Sequence, residues 1–371
     1  MPLAFLDLPH DDPGARGHEH GLRLAAQIAR NVRTCYRRCE NDGLDHAAVR
    51  RQAGMWAEVI LARRPDVAVE IAAVAAGAQL DPLDITLLNV RFEIGYPLKA
   101  RVVSAAAPLD GCTSFALLPE ATADGHTRVG QTLDGSAAFA GNLAVLRSSR
   151  AHGLTLLGLH EAGSVGPSLG LNSAGIGVVY NSLITPACAA PPRGLPFRLR
   201  MLGILEAPTF AHAIDVALQT PRPTATHLLL GHRDGEALGL ELSQTQAAYL
   251  HPERGILAHA NHFERLEGVT SLFERLLPDS LFRGPRMSRH LAARRGALDE
   301  AALRRALSDH FSYPRSICLH SNPDLSLERR ALTLSGAILD LAAGVLAATD
   351  GPPCENPLQR FALSQPAPLP A

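Results

Sequence analysis

An α+β fold is what this sequence predicts, and three observations carry the prediction. Apolar residues recur at helical spacing through most of the first 95 positions. From Gly111 onward the texture changes to short β-type runs separated by Gly, Asp, Ser and His. These runs gather at the two ends of the second part with pairs of helical stretches between them, the pattern of two antiparallel sheets with helices outside.

Taken in order, residues 1–13 read as an irregular arm ending in Asp11-Asp12-Pro13. Over 17–40, Leu22, Leu24, Ala25, Ile28, Ala29 and Val32 recur with arginines between them, which predicts an amphipathic helix. A second helix is expected over 46–63, where Trp56, Val59, Ile60 and Leu61 cluster, and a third over 66–79. Asp81-Pro82 with Asp84 opens a fourth, because proline suits the first helical turn and aspartate its positive end. Strands are expected over 114–118, 128–133, 143–148, 154–159 and 175–181, the first two joined by a turn at Ala123-Asp124-Gly125-His126. A Pro-rich connection over 186–196 leads to helices over 197–206 and 209–219. Strands over 227–231, 237–242 and 247–250 follow, with Arg233-Asp234-Gly235 as a hairpin turn. Helices over 271–277, 288–294 and 299–308 precede strands over 331–340 and 344–349, and a Pro-rich tail ends the pattern.

A length of 371 residues allows one large domain or two ordinary ones, and 46 % apolar content is enough for a substantial core. Thirty-five Lys and Arg balance 36 Asp and Glu, which gives no electrostatic footprint for nucleic acid or an anionic membrane. No run of 18 apolar residues predicts a membrane-spanning helix, and the first residues lack the basic and apolar regions of a signal peptide. A cytoplasmic location is therefore expected, with Cys35, Cys39, Cys112, Cys188, Cys318 and Cys354 as reduced thiols. Cys35 and Cys39 have no second Cys/His pair at zinc spacing, and His259 and His262 have no third ligand. No metal or other cofactor is expected.

Cys112 stands between a turn-forming Asp110-Gly111 pair and the strand-like Thr113-Ser114-Phe115-Ala116-Leu117-Leu118. Gly111 leaves its own carbonyl open to close approach. A thiol at the start of a strand could attack that carbonyl, and cleavage would leave Cys112 as a new amino terminus. The freed α-amine, with a pKa of about 7.7–8.0, could then serve the thiol as a base. On spacing alone a buried structural cysteine is the competing reading, since free Cys is among the most buried residue types.

Four motifs follow in order: Asp110-Gly111-Cys112-Thr113-Ser114, Gly130-Gln131-Thr132-Leu133-Asp134, Gly170-Leu171-Asn172-Ser173-Ala174-Gly175-Ile176-Gly177, and His259-Ala260-Asn261-His262-Phe263. Leu88-Asn89-Val90-Arg91-Phe92-Glu93 precedes them. Over about residues 85–345 this ordered set resembles the acyl-coenzyme A:6-aminopenicillanate acyltransferase family of N-terminal-nucleophile hydrolases. The resemblance implies a four-layer αββα sandwich with a helical N-terminal segment. It also implies cleavage between Gly111 and Cys112 into an α chain, 1–111, and a β chain, 112–371, that stay together as a heterodimer in one folded unit.

The implied roles follow from the same resemblance. Cys112 would be the nucleophile both of self-cleavage and of an acyl-enzyme. Asp134 would support processing and orient the nucleophile's surroundings, although Thr132-Leu133-Asp134 stands where the family has Asn-Trp-Asp. Asn261 is the expected oxyanion-hole donor, and Arg330, with Arg329 beside it, the expected basic residue before the penultimate strand. Glu93, Arg91 and Thr113 are expected at the substrate pocket, while Asn172 and Asn181 are expected to serve turns. The function implied is an autoproteolytically activated cysteine amidohydrolase or acyltransferase acting on small N-acyl amines, acyl peptides or acyl thioesters. Two other readings stay open: a non-catalytic binding or assembly module that keeps the fold, and an unprocessed thiol hydrolase using His259 or His262 as base.

Overall fold

The computed structural model describes residues 2–101, 111–325 and 330–364, so Asp110 and Arg329 lie outside the described residues. The N-terminal part is helical, as its periodicity predicts. It comprises β1 (Ala4–Leu8), α1 (Pro13–Arg23), α2 (Ala25–Asn41), α3 (His46–Arg63), α4 (Pro65–Ala78) and α5 (Pro82–Arg101). Asp12 and Asp45 cap α1 and α3 by accepting the Ala15 and Ala48 N–H groups, which fixes where those helices begin. The helix expected over 17–40 is broken in two at Leu24, whose backbone (φ −114°, ψ 19°) leaves the helical region. The expected arm holds β1, which pairs in parallel with residues 144–148 and buries Leu6 and Leu8. A five-residue strand whose partner lies so far along the chain leaves no local signal.

Helices α1 and α4 touch backbone to backbone. A Cβ built on Gly21 would lie 2.2 Å from the Val74 carbonyl oxygen, and one on Gly77 would lie 2.2 Å from that of His18. Glu70 of α4 is buried at the same contact, 2.6 Å from Arg16 of α1 and 2.8 Å from Arg150. The helical part is thereby fastened to the sheet that begins beyond Cys112.

The rest of the chain forms β2 (Cys112–Leu117), β3 (Arg128–Ser136), β4 (Leu143–Arg150), β5 (Leu154–Glu161), β6 (Leu169–Asn172) and β7 (Ile176–Leu183). Helices α6 (Phe197–Leu205) and α7 (Phe210–Leu218) lead to β8 (Ala225–His232), β9 (Glu236–Leu242), β10 (Ala247–Leu250) and β11 (Ile256–His259). Then come α8 (Phe273–Leu276), α9 (Ser280–Ala292), α10 (Glu300–Leu307), β12 (Ala331–Asp340), β13 (Val345–Ala348) and β14 (Gln359–Ala362). One sheet has the order β1-β4-β5-β6-β7-β8-β9-β10 and the other β11-β2-β3-β12-β13-β14. Strands β2 and β3 pack on β7 and β8 across the gap between sheets. Helix α6 covers β6 and β7 on one outer face, while α9 and α10 cover β2, β11 and β12 on the other. The four layers are αββα. Among the described residues no helix is long and apolar enough to cross a membrane.

The α1–α4 contact generates a test. Gly77→Ala in an ordinary helix would gain stability, yet here the added methyl meets backbone and should cost about 1–3 kcal/mol. Urea unfolding followed by circular dichroism measures it. A gain of about 0.5–1 kcal/mol, the usual propensity result, would overturn the close-packing account.

Candidate active site

Cys112 opens β2, between β11 and β3 and facing the second sheet, so its neighbours come from both layers. The residue is 1 % exposed. Both sides of the Gly111–Cys112 peptide are gripped. The Gly111 carbonyl accepts the Asp134 N–H at 2.9 Å. The Cys112 N–H donates to Asn261 Oδ1 at 2.9 Å. One peptide further on, the Cys112 carbonyl accepts from Arg283 Nη1 at 2.7 Å and from Asn181 Nδ2 at 3.2 Å.

Asp134 brings more than its backbone. A Cβ on Gly111 would sit 3.4 Å from Asp134 Oδ2, so the missing side chain is what lets the carboxyl approach this peptide. Antiparallel pairing of β3 with β12 sets Thr333 opposite Asp134, and the Thr333 hydroxyl donates to Oδ1 at 2.7 Å. Burial pushes the Asp134 carboxyl up to about 6, against the pull of the Arg283 charge and the Thr333 hydroxyl. A carboxyl so placed exchanges protons close to neutral pH.

Arg283 of α9 holds the arrangement together. Its guanidinium is 1 % exposed and also donates to Thr113 Oγ1 and Asn261 Oδ1, each at 2.8 Å, and to Asp279 Oδ2 at 3.0 Å. A planar fork of donors suits four oxygens held in fixed positions around it, which a flexible ammonium would not match.

The structure brings Cys112, Asp134, Asn261 and Thr113 together and corrects several expectations. Asn261 presents its oxygen to the Cys112 nitrogen, while its Nδ2 donates to the Ser182 carbonyl at 3.0 Å, so it acts here as an acceptor. Arg330 is not at the site; its guanidinium donates to the carbonyls of Leu325 and Pro323 at 2.8 and 2.6 Å. Among the described residues, the arginine bonded to the Cys112 carbonyl is Arg283. Glu93 accepts the Phe197 N–H at 2.7 Å at the start of α6 and is not among the residues lining the two cavities described below, and burial pushes its carboxyl up to about 7. Thr113 belongs to the Arg283 clamp. Asn172 does serve the turn before β7, accepting the Ile176 N–H at 3.0 Å. Asn181 instead reaches Cys112, with its Oδ1 accepting from the Ser114 hydroxyl at 2.6 Å.

Behind the clamp, His259 sets Nε2 2.9 Å from Glu241 and its other ring nitrogen 2.7 Å from the Ala260 carbonyl, and it stacks on His227. Glu241 also accepts the N–H groups of Glu264, Arg265 and Leu266, which pins the loop after Asn261. Burial pushes His262 down to about 4, so it is neutral at neutral pH. With both ring nitrogens engaged, His259 is poorly placed as a base for Cys112.

A narrow, mostly apolar cavity adjoins the site, lined by Leu133, Asp134, Phe139, Tyr180 and Leu334. Its polar wall is Arg91, paired with Glu161 at 2.7 Å, together with Asn31. Arg91 and Phe139 also line a second cavity that extends to Arg38, Cys39, Tyr96 and Lys99. Arg91 thus lines a cavity shared with Asp134. The walls come from both sides of residue 111.

The family model of the acyl-coenzyme A:6-aminopenicillanic acid acyl-transferases matches residues 121–346. The chain belongs to that family. Among curated relatives, this family member is 28 % identical over 316 residues to the 40 kDa form of acyl-coenzyme A:6-aminopenicillanic-acid-acyltransferase from Emericella nidulans, covering 82 % of each chain. Solved structures similar to it include a mutant of conjugated bile acid hydrolase from Clostridium perfringens. That match has 12 % identity and a TM-score of 0.49, over 68 % of this chain and 92 % of the other. Penicillin V acylase from Agrobacterium tumefaciens matches at 14 % identity and a TM-score of 0.42, over 64 % and 83 %.

The two arginines of this family member separate in a stability measurement. In a Cys112→Ala background, Arg283→Met takes the buried donor away from Asp279 and three further acceptor oxygens and should cost about 3–5 kcal/mol in urea unfolding at pH 7. Arg330→Ala should stay within about 0.5 kcal/mol. Equal effects would refute the assignment of the clamp to Arg283.

Proposed function

We propose that this family member is a self-processing cysteine amidohydrolase or acyltransferase in which Cys112 is the nucleophile of both reactions. The observation that carries the reading is the grip on the Gly111–Cys112 peptide, with an N–H on the carbonyl oxygen and an acceptor on the leaving nitrogen. In processing, the Cys112 sulfur would bond to the Gly111 carbonyl carbon while its proton passes to Asp134. Charge then developing on the carbonyl oxygen meets the Asp134 N–H, an interaction worth about 3 kcal/mol of barrier. The C–N bond breaks, the Asp134 proton passes to the nitrogen, and a thioester remains. Water hydrolyses it, leaving the Gly111 carboxylate and a Cys112 that carries a free amine and thiol.

In turnover the same thiol would take an acyl group from an amide or a thioester and pass it to water or an amine. The Emericella relative is named for transfer from acyl-coenzyme A to 6-aminopenicillanic acid. For this chain the supported substrate class is a small N-acyl amine, acyl peptide or acyl thioester whose acyl group enters the apolar cavity beside Leu133 and Tyr180. Residues 1–111 and 112–371 would remain a heterodimer, since β1 is a strand of the second part's sheet and Arg91 a wall of the shared cavity.

Denaturing mass spectrometry of freshly purified protein should find fragments 1–111 and 112–371 in wild type and an intact chain in Cys112→Ala. Asp134→Asn should slow cleavage about 100-fold or more. Because the ionised form of Asp134 is the base, cleavage during refolding should accelerate as pH rises through about 6 and then level off. An intact wild-type chain under reducing, neutral conditions would sink the proposal and leave the unprocessed thiol hydrolase and the binding module, which an amidase screen separates.

A further inference from the structure

A second constellation lies outside the site described above. His310, Cys318, His320 and Cys354 each offer one ligand atom, and the four atoms lie within 4.8 Å of one another. His320 Nε2 is 3.0 Å from His310 Nε2, 3.6 Å from Cys318 Sγ and 3.3 Å from Cys354 Sγ. The two sulfurs are 3.6 Å apart, and both cysteines are free thiols. Hydrogen bonding cannot account for this convergence, because one imidazole nitrogen has either one proton or one lone pair and here meets three partners. A single cation at the centre would satisfy all four.

We propose that these residues form a structural zinc site of the Cys2His2 type. Zinc bonds of about 2.3 Å to sulfur and 2.0–2.1 Å to nitrogen give tetrahedral edges of about 3.3 Å for N···N, 3.5 Å for N···S and 3.8 Å for S···S. The four edges given above, 3.0 Å for N···N, 3.3 and 3.6 Å for N···S and 3.6 Å for S···S, come within about 0.4 Å of those lengths. Two thiolates and two imidazoles select zinc over the hard cations, and four protein ligands leave no open position for substrate. Glu355 lies 3.5 Å from Nδ1 of His320, where a carboxylate orients a ligating ring. Binding would release the two thiol protons to solvent. His310 is exposed, which gives the ion a route of entry.

The site ties an irregular segment to the sheet behind Asp134. Leu319, between two ligands, donates its N–H to Thr333 Oγ1 at 2.9 Å and accepts the Thr333 N–H at 2.9 Å. Thr333 is the residue whose hydroxyl holds Asp134. The ion would therefore fix the loop that fixes the hydroxyl that orients the carboxyl. With no paired Cys-x-x-Cys and a ligand as distant as Cys354, the pattern escapes the spacing search that sets aside Cys35 and Cys39.

The test uses the Cys112→Ala chain, so that neither self-cleavage nor the nucleophilic thiol enters. Purified without chelator, it should carry about one zinc per chain by elemental mass spectrometry. His310→Gln and Cys354→Ser should bring the content close to background while far-ultraviolet circular dichroism is retained. Should those variants fail to fold, cobalt(II) added to the chelator-stripped Cys112→Ala chain gives the answer directly. Thiolate-to-cobalt charge-transfer bands of a tetrahedral two-sulfur site, with two thiols protected from maleimide, would support the proposal. Absent zinc together with absent cobalt bands would overturn it, as would a Cys318–Cys354 disulfide in freshly purified protein.

Discussion

The arrangement around Cys112 depends on one buried cation. Arg283 leaves α9 and meets the Cys112 carbonyl, the Thr113 hydroxyl and the Asn261 oxygen, with Asp279 balancing its charge. The guanidinium connects the start of β2, the loop after β11 and the outer helix in one set of hydrogen bonds. Because Asn261 accepts from both Arg283 and the Cys112 N–H, the position of the nitrogen depends on the position of the cation. Desolvating that charge is costly, and the oxygens around it make the cost tolerable only as a complete set.

Much of the fold was legible where the local signal was strong. The helix over 46–63 has a capping aspartate before it and a clear apolar cluster within it, and its bounds match the structure. The strand over 331–340 matches for a similar reason, an apolar run broken only by Thr333, Ser335 and Gly336, preceded by Arg330 and ended by Asp340. The misses share a cause. Strands β1, β6, β11 and β14 span only four or five residues and exist because a partner strand is already present. Propensity cannot reveal an element whose stability lies in its neighbour.

The site divides along the same line. Cys112, Asp134 and Asn261 sit inside short motifs, so their order along the chain could be read even though the facing direction of Asn261 could not. Arg283 carries no motif. It lies two residues before Pro285 and outside the helix expected over 288–294, and proline is unfavourable inside a helix. In the structure α9 runs from Ser280 through the proline, which turns Arg283 inward. Arg330 drew attention by its place before β12, but it is Thr333 in that strand that reaches Asp134. Asn181 reads as a turn former because its strand is glycine-rich, while its real partner is 69 residues away.

The contacts around the Gly111–Cys112 peptide also act as a clock. Residue 134 contributes first, then residues 181 and 261, and Arg283 last. During synthesis at roughly 5–20 residues per second, seconds separate the first of these from the last. Until α9 has emerged and docked, the peptide is an ordinary amide in a partly built sheet, with no cation beside it to fix the Asn261 oxygen on its nitrogen. Strands β1 and β4, and Glu70 with its two arginines, all precede α9 in the chain, so these pairs are available before Arg283 is made. The geometry at Cys112 therefore needs residues from 134 to 283, and the residues that join the two halves through β1–β4 and Glu70 are all synthesised before the last of these.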